Sequence, residues 1–106
     1  GKICILNDDM IDTAGSVVAA VKTLKAKGAE EVYVCATHPV FSGPAYERLE
    51  SAPIEEVVVC NTIPIPEERL KGKIKVVSVA PLFARAIDAV YSNGSISELF
   101  DPDFAL

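Results

Sequence analysis

The chain has 106 residues, 50% of them hydrophobic and 24% charged, which fits one small globular domain and is too apolar for a disordered segment. The net charge of −5, with no basic run and no arginine-rich patch, argues against a nucleic-acid binder. No apolar stretch approaches the roughly 20 residues that span a bilayer.

Lys2 to Leu6 is the first predicted strand, a compact apolar run ended by Asn7-Asp8-Asp9. A helix is expected next, with Val17, Ala20, Val21 and Leu24 on one face and Gly28 as its C-terminal cap. Glu31 to Ala36 reads as the second strand, broken by His38-Pro39. Ser42-Gly43-Pro44 opens a second helix with the stripe Ala45, Leu49, Ala52, and Pro53 stops it. Glu56 to Cys60 is the third strand, 63–68 a proline-punctuated loop, and Lys73 to Val79 the fourth strand. Ala80-Pro81 starts a third helix with Phe83, Ala86, Ile87 and Val90 on one face, ended by Asn93-Gly94.

Strands alternating with helices imply βαβ units and a parallel sheet. The strands are continuous Val/Ile runs, the pattern of burial on both faces. The expected fold is therefore α/β: a three-layer, Rossmann-like domain of about four parallel strands and three helices. Cys4, Cys35 and Cys60 form no CxxC pair and lie in apolar runs, so they read as reduced, buried thiols and not as metal ligands. Gly1-Lys2 leads straight into an apolar strand, without the pattern of a secretory signal, so a cytoplasmic setting is expected.

In parallel sheets ligands sit beyond the carboxyl ends of the strands. The segment after the first strand, Asn7 to Ser16, carries the most chemistry. Asp8 and Asp9 are adjacent carboxylates, and Asp12-Thr13-Ala14-Gly15-Ser16 leads into the first helix. Small residues let a ligand approach the backbone. Amides at a helix N-terminus suit a phosphate, and the Thr13 and Ser16 hydroxyls can add hydrogen bonds. Carboxylates beside such a cradle can accept hydrogen bonds from sugar hydroxyls. The competing reading is helix capping alone, since Asp12, Thr13 and Ser16 are all good caps. Capping needs only one acid, however, and doubled like charges are unfavourable without a compensating group.

The run Asp8 to Ser16 resembles the phosphoribosyl-binding signature of type I phosphoribosyltransferases. Three further stretches, 36–45, 57–64 and 93–100, are similar to ribose-phosphate pyrophosphokinases, so the resemblance covers nearly the whole chain. It implies a phosphoribosyltransferase-like domain matching the C-terminal half of that family, with the N-terminal half absent. Family members transfer the β,γ-diphosphoryl group of ATP to the anomeric hydroxyl of ribose 5-phosphate, with Mg²⁺ as cofactor. On that resemblance Asp8 and Asp9 engage the ribose hydroxyls, partly through Mg²⁺, and Asp12, Thr13, Ala14, Gly15 and Ser16 wrap the 5-phosphate. ATP would bind only with the missing half, which carries the catalytic residues. The full chain would assemble as a hexamer, and the fragment would be inactive alone. Ser95, Ser97 and Phe100 match a region that contributes to a regulatory or interface site.

Two positions depart from the family pattern: Asn7 replaces a usually apolar residue, and Ser16 replaces threonine but keeps the hydroxyl. The lone His38 reads as a loop hydrogen-bonder, Phe41 and Tyr46 as packing residues, and Lys22, Lys25 and Lys27 as a solvent-facing set. Asn61-Thr62 is compatible with a pocket lining or a plain turn. A non-catalytic regulatory relative is the main alternative, and the intact acids argue against it. A nucleobase phosphoribosyltransferase would need a base-recognising hood, which Phe41 to Pro44 fits poorly.

Overall fold

The computed structural model of the chain describes residues 1–92 and residue 94. In chain order these form β1 (Ile3–Ile11), α1 (Gly15–Ala26), β2 (Glu31–Pro39), α2 (Ala45–Ser51), β3 (Glu56–Cys60), a 3-10 turn (Glu67–Lys71), β4 (Ile74–Val77) and α3 (Ala80–Tyr91). The four strands make one sheet in the order β1-β2-β3-β4, every neighbouring pair parallel. The α/β class, the parallel sheet and the three helices are as the alternating pattern predicts.

The alternation of strand side chains builds the core. Val32, Val34 and Ala36 of β2, Val57 and Val59 of β3, and Ile74 of β4 point to one face and are buried. Val17 and Val21 of α1 and Ala45 and Leu49 of α2 close over them, with Ile11, Phe41, Ala52 and Ile54 at the margins. Each full burial of such a branched side chain stabilises by about 1.5–3 kcal/mol. The stripe expected on the second helix, Ala45, Leu49 and Ala52, is buried throughout. Ala52 has extended backbone, as the residue before Pro53 must, so α2 ends there.

Two elements run longer than their sequence suggests. β1 continues through Asn7, Asp8, Asp9 and Met10 to Ile11, and β2 continues through His38 to Pro39. The two extensions pair with each other, Met10 with His38 and Ile11 with Pro39. The acids keep their side chains exposed, so the ladder grows without burying charge. Proline is tolerated because it stands at the very end of its strand.

The C-terminus of α1 follows expectation. Gly28, at φ 97°, donates to the Lys25 carbonyl, and Ala29 donates to that of Leu24, the paired bonds of a Schellman ending.

The second face of the sheet differs from expectation. Ile3, Ile5 and Val77 are exposed there, and Tyr33, Cys35, Val58 and Cys60 are half-buried. The described residues therefore build two layers, and a third layer is not formed among them. The reason is topological. Right-handed crossovers that always step the same way across a sheet fall on the same face. Steps from β1 to β2 to β3 put α1 and α2 together on one side, where they touch. α3 follows the last strand and buries none of its residues. Phe83, Ile87 and Val90, the face expected to pack, are exposed. Cys4, Cys35 and Cys60 are free thiols, half-buried where full burial was expected.

Candidate functional site

The turn between β1 and α1 has an unusual construction. Its last residue, Ala14, has φ 68° and ψ 7°, the left-handed region that side chains with a Cβ rarely enter. Neither Asp12, Thr13 nor Ser16 caps α1: no side-chain hydrogen bond closes its N-terminus. The first intrahelical bond runs from the Val18 amide to the Ala14 carbonyl at 3.0 Å. The amides ahead of it, on Gly15, Ser16 and Val17, therefore point out of the helix start, where the helix dipole is positive. Capping as the whole explanation of these residues does not match this geometry.

The turn is tied down from the opposite side. The Phe41 amide donates to the Ile11 carbonyl at 3.0 Å, and the Ser42 amide to the Asp12 carbonyl at 2.9 Å. Arg48 Nη1 donates to the Thr13 carbonyl at 3.1 Å. Three successive carbonyls are thus held by the segment from Phe41 to Arg48. Phe41 itself is buried at φ 49° and meets the Tyr46 ring edge-on, 5.1 Å between centroids, so both aromatics are packing residues.

A concavity of about 170 Å³ opens at this turn, lined by Asp8, Met10 and residues 11–17. Six of the seven residues expected to bind ligand meet here: Asp8, Asp12, Thr13, Ala14, Gly15 and Ser16. Asp9 is not part of the wall. Because β1 runs on through both acids, alternation sends neighbouring side chains to opposite faces. The Asp9 amide instead donates to Asp8 Oδ1 at 2.8 Å, which steadies the member of the pair that does face the cavity. Asn7 lines a neighbouring, more apolar hollow with Leu6, Val17, Ala20 and Val34, which Asp8 and Ser16 share.

The other sequence candidates are structural. His38 Nδ1 lies 2.8 Å from Thr62 Oγ1, and the Thr62 hydroxyl donates to the Thr37 carbonyl at 3.3 Å. The ring joins the ends of β2 and β3 and stands outside the cavity. Asn61 accepts from the Val79 amide at 2.8 Å and donates to Ser78 Oγ at 3.2 Å, making 61–62 a tie between strand ends. Ser95, Ser97 and Phe100 lie outside the described residues. Arg48 escaped the sequence reading, because nothing in its local pattern separates it from any exposed helical arginine.

Comparison with known proteins gives the family. The family model described as "Phosphoribosyl synthetase-associated domain" matches residues 1–101. A ribose-phosphate pyrophosphokinase from Caldanaerobacter subterraneus subsp. tengcongensis is 58% identical over 100 residues, covering 94% of this chain and 32% of the relative. One from Clostridium acetobutylicum is 54% identical over 103 residues, covering 97% and 32%. The crystal structure of phosphoribosylpyrophosphate synthetase from Mycobacterium smegmatis superposes with a TM-score of 0.84 at 49% identity, covering 89% of this chain and 32% of that one. The chain thus spans about a third of the length of the relatives it matches. With a parallel α/β sheet, the turn after its first strand and a family match along nearly all its length, this chain belongs to the ribose-phosphate pyrophosphokinase family.

Proposed function

We propose that this chain is the ribose-5-phosphate-binding, C-terminal domain of a ribose-phosphate diphosphokinase. The complete enzyme would transfer the β,γ-diphosphoryl group of ATP to the anomeric hydroxyl of ribose 5-phosphate, giving phosphoribosyl pyrophosphate and AMP. The observation that carries this reading is the uncapped start of α1 behind a left-handed Ala14, opening on a cavity walled by Asp8 and residues 11–17. Outward amides and the Thr13 and Ser16 hydroxyls suit the 5-phosphate, and the Asp8 carboxylate in the same wall suits ring hydroxyls. Asp9, facing away from the wall, is left a supporting role through its amide.

In such a reaction these residues do positioning. Holding the sugar phosphate fixes the direction of its anomeric hydroxyl, which lowers the entropic part of the barrier. No group of three or more His, Cys, Asp or Glu among the described residues could enclose a metal ion. Asp8 nevertheless fits Mg²⁺, which takes one or two carboxylates and completes its shell with water and phosphate oxygens. Bound there, Mg²⁺ would supply charge neutralisation to the sugar phosphate's oxygens. ATP, the hexamer and a cytoplasmic setting belong to the full-length protein in this proposal.

The test is a titration of ribose 5-phosphate into the wild-type chain and an Asp12→Ala, Thr13→Ala variant, followed by NMR shifts. Binding should centre on residues 12–16 and weaken in the variant. Equal binding by both would remove the cradle. The purified chain should also produce no AMP from ATP and ribose 5-phosphate, and ATP-dependent AMP formation would overturn the assignment of catalysis to a missing part.

A further inference from the structure

We propose that Arg48 is a positioning residue for this cavity, holding the turn in its strained form and setting a fixed positive charge beside the first turn of α1. The proposal rests on the anion-binding reading above. It goes further by naming the group, from a different element, that makes an acid-lined turn fit for a phosphate.

Arg48 lies on α2, 35 residues along the chain from Thr13, whose carbonyl it bonds at 3.1 Å. Of the three carbonyls held in this turn, those of Ile11 and Asp12 receive backbone amides, and only that of Thr13 depends on a side chain. It belongs to the last peptide before Ala14. A trans peptide is planar, so a Thr13 carbonyl drawn toward α2 turns the Ala14 amide the opposite way. A left-handed alanine persists only where its surroundings over-determine it, and Arg48 supplies that constraint on the peptide in question.

Charge points the same way. The ionisable side chains that line the cavity, Asp8 and Asp12, are both acidic and would repel a phosphate. The Arg48 guanidinium offsets them. A Cβ added to Gly15 would sit 3.3 Å from Arg48 Nη1, so the cation flanks the residue that opens the helix. The five N–H groups of the guanidinium are not exhausted by one bond to Thr13.

The test uses the 106-residue chain with Arg48→Ala, Arg48→Gln and Arg48→Lys. In the ligand-free state the left-handed Ala14 shows as a strong intraresidue amide-to-Hα NOE. Arg48→Ala and Arg48→Gln should weaken that NOE while the shifts of Val57 and Ile74 stay in place. Both should bind inorganic phosphate and ribose 5-phosphate about fivefold more weakly, with a flatter salt dependence, as expected for one exposed charge. Arg48→Lys should recover most of the affinity.

Equal affinity in wild type and both neutral variants would overturn the role of Arg48 and leave the cradle standing. Failure of the wild type to bind either anion would sink the cradle. Arg48 would then be judged on the ligand-free NOE, and its retention in Arg48→Ala would overturn the proposal as well. If both neutral variants unfold, Arg48 holds the fold and not the turn, which also refutes it.

Discussion

Gly15→Ala offers a sharp separation of stability from binding. Gly15 is helical and needs no left-handed φ, so alanine fits its backbone. Gly→Ala is worth about 1 kcal/mol inside a helix, and roughly half of that at its first residue. Against this, the new Cβ would lie 3.3 Å from Arg48 Nη1 and 3.8 Å from Thr13 Oγ1. The guanidinium must give by a few tenths of an ångström, which weakens a bond worth about 1 kcal/mol net. The two effects nearly cancel, so the melting temperature should move by no more than about 4 °C. The ligand meets a different situation. A methyl group at the start of α1 stands where a phosphate must approach the amides. Losing one charge-assisted hydrogen bond costs about 2 kcal/mol, roughly thirtyfold in affinity. Thermal melts and NMR titration with ribose 5-phosphate measure the two quantities on the same samples. Binding within twofold of wild type would refute the placement of the phosphate against these amides.

Leu49→Ala should cost about 3 kcal/mol in urea unfolding, because Leu49 is fully buried between α2 and the sheet, and a loss under 1 kcal/mol would contradict that packing. Gly28→Ala should cost about 1–2 kcal/mol from backbone strain alone, since φ is 97° and nothing lies within 4 Å of an added Cβ. Gly28→Asn should cost visibly less, and equal losses would point to a cause other than left-handed geometry. The Tyr33 hydroxyl hydrogen-bonds to the Glu31 carboxylate, and that bond, followed by the carboxylate's charge, raises the phenol above 10.0. Its contribution to stability is therefore complete below the unfolded value and lost as pH rises through the folded one. Glu31→Ala should lower the Tyr33 transition in an ultraviolet alkaline titration, and an unmoved transition would rule out the Glu31 pairing.

Much of this protein is legible residue by residue. The stripe Ala45, Leu49, Ala52 marks the buried face of α2, Glu56 to Cys60 matches β3, and Gly28 ends α1, because periodicity and backbone preference are local properties. The turn after β1 is legible for the same reason: small residues, hydroxyls and acids stand together in one stretch from Asp8 to Ser16. Family likeness comes from ordered local motifs and needs no coordinates.

Other features depend on contacts between distant segments. β1 and β2 run past Asp8 and His38 only because each extension finds the other, and that extension turns Asp9 away from Asp8. The Val/Ile runs register two apolar faces, yet strand order settles that α1 and α2 cover the same one and leaves Ile3, Ile5 and Val77 exposed. Arg48 reaches Thr13 across 35 residues, a pairing without any sequence period. Local chemistry thus determined the elements and the residues of the turn. Tertiary structure alone decided which of them face one another, because the free energy of those contacts exists only once segments far apart in the chain have been brought together.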